Sequence, residues 1–343
     1  MKKLFIPFLF FLAIVSVLIL RPSGVNKELN ILEFAKTQKK CDALSNGFLW
    51  TNLPSSSASL LKIRSINTDS TQGIQGIKYI DNKDLIAFVS GKVKMNIKLY
   101  DIQKQELYKQ ASVKINAADL TSIGEGKHNN LKFVVTNYDK GQIALLNQDL
   151  AMIRIIQLPE KFQSLVGIDT YHMGKIIIPS RSMPFLAIVD IYNEDSINEI
   201  MIKHQGYMIN HESPPYDIAV FDDCVVLNYR ELGELRIGSI SDKKILNTTD
   251  FDIALNYPQS IAYKNKKLYV IETGSHSLII YNLKDKTKKL IQLPLGVFRG
   301  ITIGKDDLIY LSGQLFNDDY QRTTQIKSTT DEKKVYIYSL KFH

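Results

Sequence analysis

Short apolar runs rich in β-branched and aromatic residues recur along most of the chain, each bounded by Gly, Pro, Asn, Asp or Lys. The clearest set occupies residues 257–293. It reads Ser260-Ile261-Ala262-Tyr263, then Leu268-Tyr269-Val270-Ile271, then Leu278-Ile279-Ile280-Tyr281-Asn282, then Leu290-Ile291-Gln292-Leu293, with polar turns between. Four strands joined by tight turns over about 40 residues make one antiparallel meander, the size of a propeller blade.

The set repeats. First strands align at Gly76-Ile77, Leu120, Gly167-Ile168, Asp217-Ile218, Ser260-Ile261 and Gly300-Ile301, spaced 40–50 residues apart. Second strands align at Leu85-Ile86-Ala87-Phe88-Val89, Phe133-Val134-Val135, Ile176-Ile177-Ile178, Cys224-Val225-Val226-Leu227, Leu268-Tyr269-Val270-Ile271 and Leu308-Ile309-Tyr310-Leu311. Several third strands end in a polar cap, as at Tyr100-Asp101, Val189-Asp190 and Tyr281-Asn282. The pattern predicts an all-β chain, a six-bladed β-propeller of four-stranded antiparallel blades; an irregular β-sandwich is the competing reading. The last unit supplies only three clear strands before the chain stops, which would leave an open edge. The spare run from Ser59 to Ile66 is expected to pair there and close the ring. Seven units would require a degenerate extra one from Phe48 to Ser65.

Two strings carry a family resemblance. Ser213-Pro214-Pro215-Tyr216-Asp217-Ile218-Ala219 and Tyr257-Pro258-Gln259-Ser260-Ile261-Ala262 are similar to the Pro-x-Gly-Ile-Ala blade start of NHL-type propellers. That superfamily includes gluconolactonase-like and strictosidine-synthase-like proteins. The resemblance covers about residues 59–341 and implies the fold. It specifies activity weakly, because one fold hosts many functions.

Ahead of the repeats, Met1-Lys2-Lys3 precedes an uncharged run from Leu4 to Leu20, interrupted only by Pro7 and Ser16. At ~1.5 Å per residue a helix of this length reaches about 26 Å, the short end of a membrane span. No Ala-x-Ala-like cleavage site or lipid-attachment Cys follows. The expected organisation is a signal anchor over 1–24 (a cleaved signal peptide being the alternative), a stalk over 25–58 and the propeller over 59–343. Lys2 and Lys3 favour a cytoplasmic N-terminus, although Arg21 and Lys27 dilute the asymmetry. The propeller is expected outside the cytoplasm. Cleavage would make it secreted or periplasmic. Cys41 and Cys224 either pair there, as an oxidising compartment permits, or Cys224 is a buried free thiol of an inner strand.

The net charge of +8 permits an acidic partner, but the lysines are scattered without a dense run. No nucleic-acid-binding motif is present. Propeller geometry sends the inter-blade connections and the loops between second and third strands to one face. That face would collect Arg181, Tyr216, Asn228, Arg230, Gln259, Glu272, His276 and Arg299, with His211 and Glu212. The long loop 314–333 adds Asp318, Asp319, Tyr320 and Arg322. Four arginines on one face suit carboxylate, sulfate or phosphate. The bland alternative is local pairing, as of Arg230 with Glu231 or Glu234.

The resemblance also implies a metal-dependent lactonase or esterase, in which oxygen ligands around the axis hold a divalent cation such as calcium. The blade-start ring here reads Gln75, Ala118, Val166, Tyr216, Gln259, Arg299, without a carboxylate. Asp169 and Asp217 are close in sequence but strand alternation can aim them elsewhere. Asn137, Asn228 and Glu272 are the remaining candidate ligands. His204, His211 and His276 lack tight metal-binding spacing, and no nucleophile elbow or phosphate loop occurs. The expectation is a membrane-anchored, non-catalytic binding or scaffold module for a protein or an anionic glycan, without a cofactor. A metal-dependent hydrolase is the alternative.

Overall fold

The computed structural model describes residues 41, 43–44, 50–67, 74–90, 95–124, 132–172, 174–193, 196–208, 213–240, 244–315 and 334–342. The expected anchor, most of the stalk, His211, Glu212 and all but the first two residues of the 314–333 loop lie outside them. No helix among the described residues is long and apolar enough to cross a membrane.

The strands run in chain order. β1 spans Thr51–Asn67. A four-stranded antiparallel group follows: β2 (Ile74–Ile80), β3 (Leu85–Ser90), β4 (Met95–Asp101) and β5 (Glu106–Val113). The next comprises β6 (Ala117–Ile123), β7 (Lys132–Asn137), β8 (Gln142–Asn147) and β9 (Met152–Gln157). The third comprises β10 (Asp169–Tyr171), β11 (Lys175–Pro179), β12 (Phe185–Asp190) and β13 (Ser196–His204), with a short β14 (Tyr207–Met208) on the edge of β13. Then come β15 (Asp217–Phe221), β16 (Cys224–Tyr229), β17 (Glu234–Ser239) and β18 (Ile245–Asp252). They are followed by β19 (Pro258–Lys264), β20 (Lys267–Glu272), β21 (Ser277–Asn282) and β22 (Thr287–Gln292). The last group is β23 (Gly296–Ile303), β24 (Ile309–Leu315) and β25 (Lys334–Phe342), completed by β1.

β1 closes the molecule. Its second half pairs antiparallel with β25, from Ala58 opposite Phe342 to Asn67 opposite Lys334. This is the closure expected of Ser59 to Ile66. The strand also extends upstream to Thr51 and pairs there in parallel with β22, Thr51 facing Thr287 and Ser57 facing Gln292. Residues 51–67 are therefore one strand shared between two neighbouring groups, not a separate four-stranded unit. A second parallel pairing, β13 with β18, joins the outer edges of two other groups.

Alternation explains why the inner strands read as continuous apolar runs. In β3, Leu85, Ala87 and Val89 pack toward the group containing β6, while Ile86 and Phe88 pack on the other side, against Tyr310 of β24. In β20, Leu268 and Val270 face the β15 group, while Tyr269 and Ile271 face the β23 group. Strands covered on both faces cannot afford polar positions on either. Each fully buried large side chain of this kind stabilises the fold by roughly 1.5–3 kcal/mol. The first strands meet their neighbours in a circle: β2 contacts β6, β6 contacts β10, β10 contacts β15, β15 contacts β19, β19 contacts β23 and β23 returns to β2. The chain is an all-β propeller.

One disulfide is present, between Cys41 and Cys224, with Cα atoms 5.7 Å apart. Of the two fates open to Cys224 from the sequence, the paired one is found. Cys41 joins the core between the β15 and β19 groups, with Leu44 and Trp50 packed beside it.

Candidate functional site

The circle of first strands encloses a cavity of about 670 Å³. Its wall is built from the blade-start residues and the positions just after them. Ala118, Val166, Tyr216, Gln259 and Arg299 line it at the blade-start level. Lys78, Asp119, Asp169 and Asp217 line it further along, and Asp81, His172, Tyr192 and Lys264 lie at the far ends of the strands.

The three aspartates face the cavity for a structural reason. Each accepts the backbone N–H of the residue that follows it: Leu120, Thr170 and Ile218 at 2.8 Å. Each also reaches into the next group. Asp217 Oδ2 accepts the N–H of Ile261 at 2.9 Å and the hydroxyl of Ser260 at 3.0 Å. Asp169 Oδ2 accepts the N–H of Val220 at 2.9 Å, and Asp119 accepts from the N–H of Ile168. These carboxylates stitch neighbouring groups together around the axis. They require glycine opposite: a Cβ on Gly76 would lie 2.4 Å from Asp119 Oδ1, and one on Gly167 2.8 Å from Asp217 Oδ1. Lys78 donates to Asp169 Oδ1 at 3.5 Å, joining the first and third groups.

The acids are close enough to disturb one another. Burial, reinforced by the charge of Asp217, holds Asp119 well above the usual carboxylate range. Burial pushes Asp217 up to about 7, against its three donors and with the charge of Asp169 adding to the rise. An aspartate in the unfolded chain titrates near 3.9. The folded protein therefore holds the proton more tightly than the unfolded one. The stability this provides is complete below about pH 4, is lost as the pH rises toward 7, and stays level above. The melting temperature of the full chain is expected to fall between about pH 4 and pH 7, and Asp217→Asn is expected to flatten that slope. An unchanged slope in the variant would assign the pH dependence to other groups.

At the blade-start level a second cluster forms. The Arg230 guanidinium carbon lies 4.0 Å from the centre of the Tyr216 ring and 4.9 Å from that of Tyr257; that of Arg181 lies 4.9 Å from Tyr216. Gln259 joins them, donating to the Tyr216 hydroxyl at 3.0 Å and accepting from Arg230 at 3.4 Å. Arg230 also donates from Nε and Nη2 to Glu231 Oε1 at 3.0 and 2.6 Å. The local pairing considered for Arg230 is thus present with Glu231. Glu234 instead accepts two bonds from Arg236.

The structure therefore brings Arg181, Tyr216, Arg230 and Gln259 together; of these Tyr216 and Gln259 line the cavity, as does Arg299, and the two arginines sit beside them. Three other candidates are engaged inside the fold. Asn228 is fully buried and donates to the Pro258 carbonyl at 3.0 Å. Glu272 is buried and accepts from Asn256 N–H, Ser275 and Ser277 at 2.7 Å each. The His276 ring nitrogen Nδ1 lies 3.1 Å from the Gly296 carbonyl. Among the described residues, no three His, Cys, Asp or Glu side chains converge in an arrangement that could hold a metal ion. His204 is engaged with Asp250 at 3.3 Å, and burial and the Arg236 charge lower its pKa.

Sequence reasoning left out Asp119 and Lys78. For Asp119 the available signal was the alternation at the first four aligned starts, Gly76, Asp119, Gly167 and Asp217, in which an aspartate twice follows a glycine. Tyr257 was also left out; its φ of +60° places it at a turn beside Arg230.

No protein-family profile matches the chain, and no curated protein matches it in sequence. Solved structures do match its fold. A catalytically inactive virginiamycin B lyase from Staphylococcus aureus with quinupristin superposes with a TM-score of 0.57 at 14% identity, over 82% of this chain and 99% of the lyase. Regucalcin from Agrobacterium tumefaciens, a calcium-binding protein, gives 0.58 at 9% identity, over 86% of this chain and 98% of its own. A luciferin-regenerating enzyme gives 0.55 at 13% identity, over 81% and 95%. These are β-propellers, so the expected fold-level resemblance to gluconolactonase-like propellers holds. At these identities the likeness is one of fold alone.

Proposed function

We propose that this chain is a six-bladed propeller that binds an anionic glycan at the arginine-bearing mouth of its axial cavity, held outside the cytoplasm by the apolar segment from Leu4 to Leu20. The observation carrying the binding reading is the stacking of Arg181 and Arg230 on Tyr216 beside Gln259. Guanidinium forks match carboxylates, and Tyr257, 42% exposed beside them, offers a ring face to a sugar. An acidic protein surface offers the same charge but makes no use of that ring. The circle of first strands supports six blades. The Cys41–Cys224 bond supports an oxidising compartment.

A second reading, a hydrolase acting on the axis, is favoured by one feature: buried acids with raised pKa line a cavity in a fold shared with enzymes. The described residues do not fit the metal-dependent form of that reading.

The deciding experiment uses the full chain in detergent with oligogalacturonate as probe. Retention that falls at least tenfold in both Arg181→Ala and Arg230→Ala, with the probe's mass unchanged after incubation, is the expected result. No retention at low salt would sink the glycan reading, whereas conversion of the probe or of simple lactones would establish the enzyme.

A further inference from the structure

We propose that Glu231 is a built-in competitor: its carboxylate occupies Arg230 until a carboxylate-bearing ligand docks on Arg181 and displaces it. This rests on the binding reading above and adds the element that sets its affinity.

The two arginines of the mouth differ in how their charge is met. Arg230 is answered by Glu231, whose Oε1 accepts both guanidinium bonds and lies 3.4 Å from the Tyr257 hydroxyl. Among the described residues no carboxylate pairs with Arg181, and its Nε is buried without an acceptor. Arg181 lies within the field of Glu231 but holds no carboxylate by hydrogen bond, so beside the paired Arg230 it forms an incomplete anion site. A ligand carboxylate supplies the missing acceptor.

Glu231 is built to leave. It follows Arg230 directly, in the turn between β16 and β17, so a side-chain rotation releases it without moving the sheet. Its side chain is 44% exposed. The neighbouring pair makes the contrast. Arg236 and Glu234 are only 9% and 26% exposed, both sit in β17, and their guanidinium lies 4.3 Å from the buried Tyr229 ring. That pair is a fixed part of the interior. Arg230 is 18% exposed and keeps Tyr216 and Gln259 as neighbours, so the group that leaves is the solvated half of the pair, whose own contribution to stability is small. The competitor is present throughout the neutral range, because the hydrogen bonds from Arg230 hold the Glu231 carboxyl below its ordinary value. An incoming uronate would take the same guanidinium edge while also meeting Arg181.

The test titrates tetragalacturonate into full-length wild type, Glu231→Gln, Glu231→Ala and Arg181→Ala, with a neutral tetragalactoside and a tetraglutamate peptide in parallel. Thermal melts confirm that each variant folds. Both Glu231 variants are expected to bind tetragalacturonate about tenfold more tightly than wild type, and Arg181→Ala to lose binding. The neutral sugar should be unaffected. Wild-type binding that Glu231→Gln leaves unchanged or weakens would overturn the competitor while the binding reading stands. Failure of wild type and both Glu231 variants to bind any probe would overturn both. Tightening confined to the peptide would keep the competitor and replace the glycan with an acidic peptide.

Discussion

A chain beginning at residue 68 is expected not to fold. β1 fills the outer position of the last group, pairing with β25 from Ala58 to Asn67 and with β22 from Thr51 to Ser57. Its removal strips β25 of one of its two partner strands, leaving it only β24, and opens the joint to the β19 group. Each lost ladder hydrogen bond costs about 1 kcal/mol, so the whole strand is worth on the order of 10 kcal/mol. That matches the entire stability of an ordinary domain. The exposed edges would also recruit other chains. Circular dichroism and size-exclusion chromatography of 68–343 against the full chain should show lost cooperative melting and high-mass species, with rescue by a synthetic peptide of residues 51–67. A monomeric truncated chain with an unchanged melt would contradict the closure.

Breaking the Cys41–Cys224 bond is expected to have the second largest effect. The bond closes a loop with a sequence separation of 183 residues. On the loop-entropy scheme, a loop of this size is worth about 5 kcal/mol. For a chain this long that corresponds to a fall on the order of 10 °C in the melting temperature. A packing contribution adds to it. The bond holds Cys41 in the core between two groups, next to Leu44 and Trp50. The Trp50 indole donates to the Phe251 carbonyl at 3.3 Å and packs 5.1 Å from the rings of both Phe251 and Tyr281. Tyr281 in turn donates to Asp252, which also accepts from Lys288, so Trp50 packs beside a buried polar network. A Cys41→Ser, Cys224→Ser double variant should melt well below wild type and expose the Trp50 indole to solvent, seen as a red shift of its fluorescence. Two free thiols titrated in denatured, unreduced protein would refute the pairing.

The glycan and competitor predictions depend on side-chain charge at the mouth, whereas these two depend on the backbone. The distinction tracks what could be read from the chain. The repeat was legible because both faces of the inner strands are covered. Ile86 and Phe88 point one way and Leu85, Ala87 and Val89 the other, which leaves an unbroken apolar string. The closing strand was legible as a surplus run before a unit short by one strand. Its start at Thr51 was not, since Ser55, Ser56 and Ser57 read as linker residues and strand conformation there depends on β22 being alongside. The pairing of Arg230 with Glu231 was legible because the two are adjacent in sequence. The axial acids were not: Lys78 and Asp169 are 91 residues apart, and Asp217 meets Ile261 at a separation of 44.

By itself the sequence determined what repetition and alternation encode: an all-β chain of recurrent four-stranded units, with a surplus strand to complete the last. Those properties follow from which residues each segment must bury, and burial is written locally in the order of apolar and polar positions. Only the tertiary structure decided which polar groups face one another around the axis, that Cys41 reaches Cys224, and that Arg181 lacks the carboxylate its neighbour has. Those outcomes depend on distances across the ring between units that lie far apart in the chain. Distance of that kind leaves no periodic trace in the chain.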